Sequence, residues 1–194
     1  QNEVAYALLG EKRLKCEVIR VRGDLADLQV FEDTKGLKVG GRVEFTDQLL
    51  CVELGPGLLS KVYDGLQHPL NELAEKSGFF LERGVYMPAL DYERKWPFTP
   101  KASRGDKLRA GDMIGSVPEG IFEHRIMLPF EFRGTWELVE LAEKGEHRIK
   151  DVIAKAKNEK GDEKEVCMVQ AWPVKIPIKA YKEKLLPVEP LITQ

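Results

Sequence analysis

Seven prolines, at positions 88, 97, 100, 118, 129, 173 and 177, constrain this chain more than any other feature. Proline lacks a backbone donor and clashes with the preceding helical turn, so this region has no room for a long helix. From Phe79 to Ile178 nearly every signal is accordingly β or loop. The front of the chain reads the same way. CEVIRVRGD alternates Val18 and Val21 with charged residues and turns at Gly23-Asp24. ADLQVFED repeats the alternation through Leu28, Val30 and Phe31. Val39, Val43 and Phe45 make a further strand, entered through Gly40-Gly41 after a turn at Thr34–Leu37. VAYALLG supplies another candidate strand that begins mid-pattern. Short strands at this spacing predict a small barrel or meander, with its front strand missing if the barrel is closed.

Val52–Leu70, VELGPGLLSKVYDGLQHPL, stands apart. A strand-like run ends at Leu54. Gly55-Pro56-Gly57 forces a tight turn. Leu58, Leu59, Val62 and Leu66 then recur at helical spacing, which predicts a short amphipathic helix that Pro69 stops. Asn71 caps a further turn of helix through Ala74, and Gly78 ends it.

Composition narrows the function. Thirty basic against 32 acidic residues, with no dense basic run, do not suggest nucleic acid. Tyr63, Tyr86 and Tyr92 are not interleaved with basic residues as a base-stacking platform requires. No apolar run approaches the ~20 residues of a membrane span. QNEVAY has neither the basic flank nor the apolar core of a signal peptide. Cys16, Cys51 and Cys167 lack CxxC spacing, and each reads as a small buried hydrophobe in a reducing, cytoplasmic compartment.

Catalytic and ligand motifs find no match. The one Lys followed by Ser or Thr, Lys76-Ser77, is preceded by Glu75 where a P-loop needs Gly. Gly55-Pro56-Gly57 lacks a third glycine, and its proline removes an amide that a phosphate would use, so it reads as a hinge. His68, His124 and His147 are dispersed, without metal-ligand spacing, and read as surface or packing residues. Glu53 and Asp64 can be put forward as an acid–base pair, but nothing singles them out among many acidic residues. Trp96, Trp136 and Trp172 read as core or interface anchors. No catalytic, cofactor-binding or metal-binding residue is assigned.

The order RGDKLRAGDMIGSV, then EHRIMLPFEFRGTWELVEL, resembles the barrel-sandwich hybrid of biotinyl and lipoyl carrier domains. Gly-Asp turns flank Leu108, and strands run through Met113, Ile114 and Val117, through Ile126–Leu128, and through Trp136, Leu138 and Val139. A hairpin follows, Val152–Ala156 with Val166–Gln170, around a polar loop Asn158–Glu165. His147 lies in an expected turn, GEHR. Carriers present a lysine on a hairpin here, but residues 118–127, PEGIFEHRIM, contain none, and His124 or Arg125 stands near its place. The fold resemblance therefore does not bring the carrier function with it.

A second resemblance runs in order along nearly the whole chain. QVFEDTKGLKVGGRVEFTDQLL, VELGPGLLSKVYDGLQHPL, RGVYMPALDYERKWPFTP, GDKLRAGDMIGSV, EHRIMLP, VCMVQAWPVKIP and KEKLLPVEPLIT look like the front of the catalytic A subunit of V-type and archaeal A-type rotary ATPases. The resemblance implies a mainly β fold with one or two short helices. Residues 1–46 would be an incomplete N-terminal β-barrel lacking its first strand. Residues 47–71 would be a strand–hinge–helix junction, 72–178 an inserted β-rich domain resembling a barrel-sandwich hybrid, and 179–194 a connector to an absent nucleotide-binding domain. The ends, QNEVAY and LITQ, suggest a piece of a longer protein. Family members often continue T-G-Q-R where this chain has Thr193-Gln194. The whole subunit would use MgATP and couple ATP hydrolysis or synthesis to proton or sodium transport. Its partners would be B subunits in an alternating hexamer and peripheral and central stalk subunits, with the membrane reached only through the complex. This part would carry assembly surfaces, no P-loop and no cofactor. The rival reading is a stand-alone barrel-sandwich adaptor or carrier-like module.

Overall fold

The computed structural model describes residues 1–78 and 82–177. The connector 179–194 and the start of the expected β region at Phe79–Leu81 lie outside the described residues. The chain clusters into two compact units. One comprises Gln1–Val52, Val62–Pro88 and Pro173–Ile176; the other comprises Glu53–Lys61, Ala89–Trp172 and Pro177 onward.

The first unit is built on β1 (Glu3–Leu9), β2 (Lys12–Arg22), β3 (Leu25–Val30) and β4 (Val43–Leu49), an antiparallel sheet in the order β3-β2-β1-β4. VAYALLG is thus a strand. The alternation read in CEVIRVRGD breaks at a register shift between Val18 and Arg20. Ahead of it Cys16 and Val18 are buried; the extra residue brings Val21 onto the same face as Val18, and Val21, at the far end of the strand opposite Ala26, is exposed. Val39 is fully exposed and lies outside the strand that begins at Val43. Ala5, Ala7 and Leu14 complete that buried face, and Val4, opposite Glu17, is buried on the other. Glu17 is buried too, with Lys175 Nζ 2.9 Å from its carboxylate.

The helix expected over Leu58–Leu66 does not form. β5 (Cys51–Leu54) ends where predicted and pairs with a strand near the end of the chain, but residues 58–68 are turns and bends. Asp64 competes with the helix: its Oδ1 accepts the backbone N–H groups of Leu66 and His68 at 2.8 Å each. Such a local side-chain bond offers the backbone an alternative to helical pairing. Ser60 and Gln67 adopt left-handed φ of 64° and 65°. Pro69 opens a helix rather than closing one. It precedes α1 (Leu70–Ser77), and its carbonyl accepts the Leu73 N–H. Asn71 lies inside α1 and does not cap it, while Gly78 ends it as expected at φ 72°. Residues 62–88 cluster with β1–β4. The reason is local: Glu32 of that unit accepts the N–H of Gly84 and the hydroxyl of Tyr86.

The second unit holds β6 (Lys95–Pro100), β7 (Lys107–Leu108), β8 (Met113–Glu119), β9 (Phe122–Met127), β10 (Trp136–Leu141), β11 (Gly145–Arg148), β12 (Val152–Asn158) and β13 (Glu163–Cys167). β14 (Gln170–Pro173) is the partner of β5. Two four-stranded sheets result, β13-β12-β10-β7 and β11-β6-β8-β9. GEHR is a strand, not a turn: it pairs with β6, His147 opposite Trp96. The polar hairpin loop is shorter than expected because Asn158 Oδ1 accepts the N–H groups of Lys160 and Asp162 and folds the turn tightly. The two Gly-Asp turns, and the turn at Lys150-Asp151, work by one device. Asp106, Asp112 and Asp151 each accept the backbone N–H three residues earlier, at 2.7–2.8 Å. Trp96, Phe98, Ile114, Leu128, Phe132, Leu138 and Ile153 form the buried interior.

Leu138 is fully buried in β10. Leu138→Ala removes that volume and is expected to lower the unfolding free energy by about 2–5 kcal/mol in urea denaturation, with the midpoint moved and the slope kept.

Candidate functional site

In the second unit, the Gly55-Pro56-Gly57 turn is packed into the structure. Gly55 and Pro56 are buried. A Cβ on Gly55 would stand 3.1 Å from the Met168 carbonyl oxygen, and Gly57 has φ 105°, where only glycine is unstrained. The β8–β9 hairpin reaches this turn through one side chain. Glu119, 6% exposed, accepts the backbone N–H of Gly57 at 2.7 Å and of Leu59 at 3.0 Å on one carboxylate oxygen. Its other oxygen lies 2.6 Å from His124 Nδ1. Successive backbone amides that converge after a glycine turn make an anion-binding concavity. Here the protein's own carboxylate fills it. Both carboxylate oxygens are engaged with the chain, so the arrangement fixes backbone and does not present a general base to a substrate. Glu119 carries no sequence signal of its own, since it is one acid among 32 acidic residues.

The tip of this hairpin is Gly120-Ile121, with Ile121 82% exposed. His124 and Arg125 pair back onto β8, opposite Val117 and Ser116, so neither occupies the tip where a carrier lysine would stand.

In the first unit a second network surrounds His68. Its Nδ1 is 2.8 Å from Asp64 Oδ2, and its ring lies 5.4 Å from that of Tyr86. The Tyr86 hydroxyl donates to Glu32, and to it the backbone N–H of Lys15 donates. Glu32, Asp64, His68 and Tyr86 line a cavity of about 560 Å³ that is mainly apolar. Burial alone would raise the Asp64 carboxyl, but the hydrogen bonds from His68 and Leu66 outweigh it and hold it below the ordinary range. Burial, then the Glu32 carboxylate, pushes the Tyr86 phenol well above its ordinary value of 10.0.

The other sequence candidates separate. Glu53 receives the Tyr92 hydroxyl at 2.6 Å, whereas Asp64 serves His68, so the two carboxylates belong to different networks in different units. Burial, then Glu53, raises the Tyr92 phenol strongly. His147 lies edge-on to Phe98 at 5.9 Å. Trp96 and Trp136 are buried, and Trp172 packs edge-on to Phe130. Lys76 falls in the last turn of α1. Of the cysteines, Cys16 is buried as expected, but Cys51 is exposed, because it opens the short strand β5. Among the described residues no group of three or more His, Cys, Asp or Glu could hold a metal ion, and no helix is long and apolar enough to cross a membrane.

Two family profiles match in sequence order. Residues 1–47 match the beta-barrel domain of the ATP synthase alpha/beta family, and residues 87–175 match the ATP synthase alpha/beta subunit barrel-sandwich domain. The chain belongs to the ATP synthase alpha/beta family. It is 54% identical over 193 residues to a V-type ATP synthase alpha chain of Treponema denticola, covering 100% of this chain and 33% of that one. It is 55% identical over 192 residues to V-type ATP synthase alpha chain 1 of Treponema pallidum, covering 99% and 33%. A Borrelia hermsii V-type ATP synthase alpha chain is 51% identical over 193 residues, covering 100% and 33%. The chain thus spans about a third of the length of the curated relatives it matches. The barrel-sandwich half of the family matches the two sheets of the second unit, and the β-barrel half matches the sheet of the first.

The raised phenols give a signed pH prediction. A folded-state pKa above the unfolded one contributes stability below pH 10 and loses it as pH rises further. At about pH 11, where an ordinary tyrosine is largely ionised, ultraviolet titration should find Tyr86 and Tyr92 still protonated in the native chain. Both should ionise on adding denaturant. Tyr86→Phe and Tyr92→Phe should each remove one such late-titrating group; full ionisation in the native chain contradicts the two carboxylate contacts.

Proposed function

We propose that this chain is the N-terminal part of the catalytic alpha subunit of a V-type ATP synthase. The whole subunit couples ATP hydrolysis or synthesis to proton or sodium transport. The observation that carries this reading is similarity along the entire chain, about half of all positions identical, with both family domains in the expected order. In this reading the β-barrel sheet contributes to a ring with B subunits, and the barrel-sandwich unit offers an assembly surface to stalk subunits. The complex sits at the cytoplasmic side of a membrane that this part does not touch. MgATP binds in a nucleotide domain contributed by other residues of the subunit. The carboxylate-filled Gly-Pro-Gly turn supports that division, since its amides are already committed to Glu119. The carrier alternative has nothing comparable in its favour: the hairpin tip is Gly120-Ile121.

Two measurements test the proposal. Calorimetric titration of the 194-residue chain with MgATP should show no saturable heat. The full-length subunit, co-expressed with its B-type partner, should co-purify with it and hydrolyse ATP. Saturable MgATP binding to this chain alone, or a full-length product without ATPase activity in the assembled complex, would overturn it.

A further inference from the structure

The cavity beside His68 in the first unit lies outside this assignment. It measures about 560 Å³, and the residues that line it all belong to that unit. Phe31, Leu50, Leu66, Leu73 and Val85 supply its apolar wall. Volume in the range of about 300–1,000 Å³, apolar walls and a few convergent polar groups are the ordinary makings of a ligand site. Two observations give this one a chemical preference.

The first is a buried histidine with one nitrogen uncommitted. His68 is 7% exposed. Its Nδ1 is held 2.8 Å from Asp64 Oδ2, whereas its Nε2 makes no hydrogen bond. That atom is not sealed in: unlike Trp96 Nε1, which is buried without a partner, it keeps accessible surface beside the cavity that His68 lines. With the Nδ1 proton directed at the Asp64 carboxylate, Nε2 of the neutral ring carries the lone pair and can only accept. An acceptor set in an apolar wall calls for a ligand that brings a donor, since a buried polar group without a partner costs free energy. The ring is also held in place, because Asp64 is fixed by the backbone N–H groups of Leu66 and His68.

The second observation is charge. Glu32, Asp33, Asp64 and Glu82 line the cavity, and Arg83 is the lining cation. Arg83 is committed: its Nη1 donates to the carbonyls of Asp33 and Lys35, at 3.0 and 2.7 Å. Lys15 adds one further positive charge, which acts on Asp64. Four carboxylates against two cations leave the surroundings negative. The donor that fits is therefore a cation, and an anion of the same shape is repelled.

We propose that this cavity binds a small primary ammonium carried on an apolar body. One ammonium N–H donates to His68 Nε2, the acidic lining balances the charge, and the apolar body lies among Phe31, Leu66 and Leu73. An ammonium has three donors and no acceptor, so it matches a wall whose uncommitted polar atom is a lone pair.

The test uses the full 194-residue chain, ¹⁵N-labelled, and follows the imidazole nitrogens of its three histidines by long-range ¹H–¹⁵N NMR. It is run near pH 8, where an ordinary histidine, with a pKa of about 6.5, is neutral and an alkylamine is charged. His68→Asn assigns the His68 signals by their loss; if that variant fails to fold, the nuclear Overhauser contact between the His68 and Tyr86 rings, 5.4 Å apart, assigns them in the native chain. Phenethylamine is the probe, with phenylacetate and 2-phenylethanol as controls of matching shape. A saturable shift of His68 Nε2 with phenethylamine is expected, absent with phenylacetate and weaker with 2-phenylethanol. His68→Asn keeps an amide N–H near the Nδ1 position and deletes Nε2. In calorimetry it should weaken phenethylamine binding about tenfold or more, the loss of one hydrogen bond to a charged group. Glu82→Gln, at an exposed position, should weaken it by a smaller factor. No saturable shift in the native chain, an equal response to either control, or unchanged affinity in His68→Asn would overturn the proposal.

Discussion

A buried carboxylate, Glu119, holds the backbone on which the barrel-sandwich unit depends. Taking an ionised group out of water is costly unless it is hydrogen-bonded. Glu119 meets that condition with two backbone N–H groups and an imidazole, all within 3.0 Å. Charge-assisted bonds of this kind contribute about 1.5–3 kcal/mol each. They tie residues 57–59 to the end of β8, some sixty positions later in the chain. Because the turn is held there, Gly57 keeps its left-handed backbone and Gly55 can lie against Met168 and Val169 without a side chain between them.

The same physics recurs wherever the chain leaves regular structure. Asp64 holds the segment after the turn, Glu32 holds residues 84–86, and Asp106, Asp112 and Asp151 each close a turn by accepting the N–H three residues back. A chain rich in proline and short strands has many backbone donors with no ladder or helix to receive them. Buried donors must be satisfied somewhere. In this protein carboxylates receive them, so much of the acidic composition serves the fold and is not available as acid–base chemistry.

That division explains what could be read in advance. Strand signals at Val43–Leu49, Met113–Glu119 and Val152–Asn158 were legible because alternation and turn residues are local properties. The helix over Leu58–Leu66 was misread because its apolar spacing is also local, while the Asp64 side chain that diverts the backbone acts through geometry that spacing does not encode. GEHR looked like a turn because the strand it pairs with, β6, lies almost fifty residues earlier. Glu119 and the Tyr86–Glu32 pair were invisible for the same reason: their partners are 54–62 positions away. The motifs around Gly-Pro-Gly, by contrast, were legible as a family signature before any geometry was known, and the geometry supplies a physical reason for a glycine at each end of that turn.

Glu119 holds the turn in solution as well, through the amides of Gly57 and Leu59. Amide hydrogen exchange at Gly57 and Leu59, compared between the native chain and Glu119→Ala, measures this directly. Both amides should be protected in the native chain and lose that protection in the variant, while amides in β2 keep theirs. Exchange at Gly57 and Leu59 as fast as in an unstructured peptide, or protection unchanged by Glu119→Ala, would contradict it.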